Sequence, residues 1–143
     1  MYKHTQTGWV MIVCLVAALL FILPGSLNAD SVVGIFLASA ILMSLFIFVS
    51  LTVSVTAGHI NVVFGIGLIQ MRIKISEVVS LGIVKNKWWY GFGIHGWWGK
   101  GWLLNVSGLS AVELKIKNGM VYRIGTDEPQ KLNDAIQEKI NKA

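Results

Sequence analysis

The chain has 143 residues, of which 55% are hydrophobic and 13% charged, against about 25% charged in an ordinary soluble domain. Its net charge is +5, and its single cysteine, Cys14, excludes an intrachain disulfide framework and a Cys-based metal site. Between Trp9 and Thr56 the only charge is Asp30, whereas from Arg72 to Arg123 eight basic residues stand against two acids, so the chain falls into two compositional pieces.

Residues 1–8 read as an N-terminal flank. The first apolar run goes from Trp9 to Leu23 and ends at Pro24-Gly25; the second, Ser31 to Ser50, carries no charge. Both are apolar all round, a pattern of helices that bury every side. They predict a two-helix transmembrane hairpin over 9–56, with helices at about 8–23 and 31–51. Leu27-Asn28-Ala29 is a poor cleavage site, which favours a helix over a signal peptide. Lys3 precedes the hairpin, eleven basic residues follow it, and the segment Pro24 to Asp30 has none. The positive-inside rule then predicts a multi-pass protein of the cell inner (plasma) membrane with both termini cytoplasmic. Neither run contains an ionisable pathway residue, which argues against a transporter. Gly34 and Ala38 have small-xxx-small spacing, suited to close packing on the first helix.

From Leu51 the pattern changes to alternation. Thr52, Ser54 and Thr56 interleave with Val53, Val55 and Ala57, a strand signal, and Ile60 to Phe64 returns after Gly58-His59. Further strands are predicted over Leu68 to Ile75 and Val78 to Lys85. Around Asn118-Gly119 a three-residue loop, Lys117 to Gly119, places Val112, Leu114, Ile116, Met120, Tyr122 and Ile124 on one face, whereas a two-residue turn mixes the faces. Thr126 is a predicted N-cap, Pro129 suits the first turn, and Leu132, Ala135, Ile136 and Ile140 form a helical stripe over 127–141. The domain 57–143 therefore reads as a small, mainly-β barrel or sandwich with a C-terminal capping helix.

The run Trp88-Trp89-Tyr90-Gly91-Phe92-Gly93-Ile94, with Val106-Ser107-Gly108, Ala111-Val112-Glu113-Leu114 and Ile124-Gly125-Thr126-Asp127-Glu128-Pro129, resembles the bacterial pleckstrin-homology-like (PH-like) domain family, found in small membrane-anchored proteins. The resemblance implies a seven-stranded PH-like barrel closed by the final helix. His95 stands where such proteins often have an arginine, and the Gly65-Ile66-Gly67 turn lacks the clustered basic residues of phosphoinositide-binding PH domains.

The most unusual segment is Lys85 to Trp102, with five of the six tryptophans and five glycines. Indoles favour a membrane–water interface, and lysines among them attract anionic headgroups. The candidate membrane or partner surface is Lys85, Lys87, Trp88, Trp89, His95, Trp97, Trp98, Lys100 and Trp102. Alternation along a strand would turn about half of these indoles into the core. No catalytic, cofactor or metal residue is expected: His4, His59 and His95 lack neighbours at metal-ligand spacing, and the serines lack a nucleophile-elbow pattern. The expected function is a non-enzymatic, membrane-anchored PH-like binding or scaffolding module that docks on the inner membrane surface or on a membrane protein. The alternative is a structural subunit of a homo-oligomeric membrane assembly. The expected partners are the lipid bilayer with its anionic headgroups, a membrane protein or further copies of the chain; nucleic acid is not expected.

Overall fold

In the computed structural model, residues 1–26, 32–97 and 101–142 are described. The elements in chain order are β1 (Tyr2–Thr7), α1 (Trp9–Ser26), α2 (Val32–Phe48), β2 (Ser50–Val55), β3 (His59–Phe64), β4 (Ile69–Lys74), β5 (Val78–Lys85), β6 (Gly93–Trp97), β7 (Gly101–Asn105), β8 (Ser110–Ile116), β9 (Val121–Gly125) and α3 (Pro129–Ile140). Single 3-10 turns at Ile75–Glu77 and Trp88–Tyr90 precede β5 and β6.

The strands form two sheets. The first has the order β1-β2-β3-β4, antiparallel throughout, and the second the order β5-β8-β9-β7-β6, in which β7 and β9 are parallel. Alternation decides which side of each strand is hidden. Leu51, Val53 and Val55 of β2 and Ile60, Val62 and Phe64 of β3 are buried, while Thr52 on the outer face bonds Thr5 through the hydroxyls at 2.9 Å. Leu104, Val112, Leu114 and Ile124 of the second sheet join the same core. Leu132 and Ile136 of α3 close it, with the helix lying on β5 and β8.

The β8–β9 connection has the three-residue loop that the faces require. Val112 pairs with Ile124 and Leu114 with Tyr122, Ile116 N–H donates to the Met120 carbonyl at 2.9 Å, and Gly119 has φ 87°. The final helix begins two residues later than the predicted cap. Glu128 occupies the N-cap position, and the Thr126 hydroxyl instead accepts the Glu128 N–H at 3.1 Å.

Two corrections concern the fold class. Among the described residues no helix is long and apolar enough to cross a membrane. α1 and α2 have 18 and 17 residues, about 27 and 26 Å at 1.5 Å per residue, short of a ~30 Å hydrocarbon core. The second run loses its predicted length because Ser50 and Leu51 belong to β2, and α1 ends in the weakly apolar Pro24-Gly25-Ser26. The transmembrane hairpin is therefore not found, and the multi-pass inner-membrane placement with cytoplasmic termini falls with it. The second correction is to the single seven-stranded barrel, since the described residues form sheets of four and five strands.

Residues Tyr2–Thr7, a flank in the sequence reading, form β1, which pairs with β2 from Tyr2–Val55 to Thr7–Ser50. The helical pair thus replaces the turn of a β-hairpin. It leaves the first sheet at Thr7 and returns at Ser50.

Candidate functional site

The foot of the helical pair is locked to the sheets by close backbone contacts. Gly8 N–H donates to the Val49 carbonyl and Gly65 N–H to the Ser50 carbonyl, both at 2.8 Å. A side chain at Gly65 would collide with the carbonyls of Phe46 and Ile47, and its φ of +47° also favours glycine. The Phe48 ring meets Phe64 edge-to-face at 5.8 Å, which ties the end of α2 to the core.

Beyond that foot the helices bury little. α2 packs on α1, and its least exposed side carries Gly34, Ala38, Ile41 and Leu45. The other sides present Val32, Val33, Ile35, Phe36, Met43 and Phe46, with Phe36 72% exposed, and Phe21 of α1 is 88% exposed. Neither helix carries a charged side chain. An amphipathic surface helix keeps one polar face; these keep none.

More exposed apolar side chains surround the foot. Ile66 and Leu68 occupy the β3–β4 turn that Gly65 docks on α2. Trp9 opens α1 beside Leu109 of the β7–β8 turn, and both border one cleft. The Lys85–Tyr90 segment reaches the same end of the molecule: Asn86 N–H donates to the Leu109 carbonyl at 2.6 Å, and Gly93 approaches the Phe48 ring.

Within that segment Trp88 and Trp89 occupy a 3-10 turn, closed by Tyr90 N–H donating to the Lys87 carbonyl at 3.0 Å. They are 73% and 60% exposed, and their rings meet edge-to-face at 5.8 Å. The Lys87 ammonium lies 5.0 Å from the Trp89 ring centre, a cation–π contact. The expected division of the indoles between core and surface does not hold for those whose side chains are described. Trp88, Trp89 and, outside the segment, Trp9 are well exposed, and Trp102 on β7 is at the edge of exposure. Strand alternation does not govern Trp88 and Trp89, because they sit in a turn.

The remaining surface residues are dispersed. Lys85 ends β5, exposed, opposite Ser110. His95 is exposed on β6, an edge strand of its sheet. Trp97 ends β6, and Trp98 and Lys100 lie outside the described residues. The two carboxylates of the basic stretch have cationic partners: Glu113 receives the Arg123 Nε at 2.7 Å, and Glu77 lies 3.7 Å from Lys74.

Sequence reasoning missed a second polar cluster. His4 of β1 reaches across to the β9–α3 connection, with Nε2 2.6 Å from Asp127 Oδ1 and Nδ1 3.5 Å from Glu128 Oε2. Burial, reinforced by the Glu128 and Asp127 charges, pushes the nearby Tyr2 hydroxyl above the usual phenol range. The cluster was hidden because its members are 123 positions apart in the chain. No protein-family model matches the chain, and no curated protein does.

Proposed function

We propose that the chain is a non-enzymatic binding module that docks on a lipid surface. The α1–α2 pair enters the apolar phase from one face without crossing it, and the end of the β-body around its foot rests at headgroup level. The observation that carries this reading is the helical pair's apolar exposure on every side away from their mutual contact. A helix that docks in a protein groove covers one stripe and keeps a polar side for water. An apolar medium satisfies all sides at once, at roughly 25 cal/mol per Å² of surface removed from water.

The rim supports the same occupant. Trp9, Trp88 and Trp89 are indoles at the foot, beside Lys85 and Lys87, and indole and lysine both suit a membrane–water interface.

The test dilutes the full chain from detergent onto vesicles of graded anionic content and follows flotation and tryptophan emission. Docking predicts co-flotation with a blue shift. It also predicts weaker binding when Trp88→Ala and Trp89→Ala are combined, with the β-body still folded by circular dichroism. A folded chain that floats with no vesicle composition would overturn the reading.

A further inference from the structure

A cleft of about 340 Å³ opens at the foot of the helical pair. Trp9 and Leu109 form its apolar lip; Gln6, Ser110, Thr126 and Asp127 are among its walls. Among the described residues that line it, none is a lysine or arginine, and the charged one is Asp127. Gln6 is 94% buried by its 6% exposure; its Nε2 donates to the Ser107 carbonyl at 2.7 Å, and its Oε1 has no partner among the described residues. A buried amide oxygen without a donor is uncommon and asks for one. The reachable walls therefore offer a carboxylate and hydroxyls, with the unpartnered Gln6 amide oxygen buried just behind them.

At the rim the charge reverses. Lys85 is the partner of Ser110 across the β5–β8 pair, and directly opposite residues share a sheet face. A cation thus stands beside a cleft whose charged lining residue is the half-exposed Asp127, with Oδ1 2.6 Å from His4 Nε2.

We infer that this cleft binds the primary-ammonium headgroup of a zwitterionic phospholipid. The ammonium N–H groups meet Asp127 and the acceptors beside it, and the phosphate remains at the Lys85 side. The inference rests on the lipid-docking reading above, since Trp9 at the first turn of α1 brings the cleft to headgroup depth. It adds a preference that net charge alone does not predict, because a chain of net charge +5 would otherwise favour anionic headgroups.

The experiment measures binding of the full chain to phosphatidylcholine vesicles containing phosphatidylethanolamine, its N-methylated form, or neither. The primary amine should strengthen binding about tenfold over phosphatidylcholine alone, the scale of one charge-assisted hydrogen bond. Methylation, which removes N–H donors, should abolish most of the gain. Asp127→Asn should remove the preference, while His4→Gln, which alters the His4–Asp127 hydrogen bond but leaves the carboxylate, should keep it. Thermal melts of both variants verify that the β-body is folded. Equal binding to all vesicles, or a preference that survives Asp127→Asn in a folded protein, would overturn the headgroup assignment and leave docking intact. Binding of soluble phosphoethanolamine as tight as that of the lipid would reassign the cleft to a free metabolite and overturn the headgroup assignment too. No binding to any vesicle would overturn the docking reading first.

Discussion

The helical pair and the β-body are built from similar apolar residues and dispose of them in opposite ways. In β2 and β3 every second residue is apolar and every one of these is buried, whereas Phe21 and Phe36 on the helices stand largely open. The difference lies in period. Alternation marks one face of a strand for the core and the other for water, so the sheets close on themselves. A run with no polar positions marks no face, and its surface is left for a partner to cover.

Four substitutions sharpen that contrast. The largest effect on stability is expected from Phe64→Ala, which empties a fully buried site where the Phe48 ring also rests. It should cost about 3–5 kcal/mol in urea unfolding; a loss under about 1 kcal/mol would mean that the core is not as described. Phe36→Ser tests the opposite region. It should leave β-body stability within about 0.5 kcal/mol while lowering vesicle partitioning roughly 10- to 100-fold. Equal partitioning would remove Phe36 from the lipid contact.

Gly65→Ala tests the joint between the two regions. At φ +47° against the Phe46 and Ile47 carbonyls, the added methyl should destabilise by at least about 1–2 kcal/mol. It should also loosen the end of α2, read as faster amide exchange at Ser50 and Leu51. The smallest expected effect is that of Tyr2→Phe. The hydroxyl's pKa is raised on folding above its ordinary 10.0, so the folded state holds the proton more tightly. That contribution is complete below pH 10.0 and is lost as pH rises through the folded value. The variant should therefore lose less stability than the parent above pH 10.0, measured as urea midpoints across that range. Parallel losses would contradict the shift.

Much of the β-body was legible because its signals are local. The Val53–Val55 alternation, the Ile60–Phe64 return and the Lys117–Gly119 loop each specify a face or a register within a few residues. β1 was not legible: its partner β2 lies beyond the whole helical pair, and of Tyr2–Thr7 only Gln6 is buried. The apolar runs gave a composition but not a length, because the alternation beginning at Ser50 took the end of the second run into the sheet. The aromatic segment was visible as composition, yet its geometry depended on a 3-10 turn at Trp88–Tyr90 that no period announces. The cleft was invisible because β1, the β7–β8 turn and the β9–α3 connection meet only in three dimensions.

Cys14 gives the most direct test of whether lipid covers the helical pair. It is the chain's single cysteine and lies exposed on α1, so a nitroxide can be attached without any substitution. On vesicles, electron paramagnetic resonance would compare its collisions with apolar oxygen and with a water-soluble nickel chelate. Lipid docking predicts high oxygen and low nickel accessibility, with no spin–spin broadening between copies. Nickel accessibility as high as in water, or strong broadening from paired copies, would contradict it.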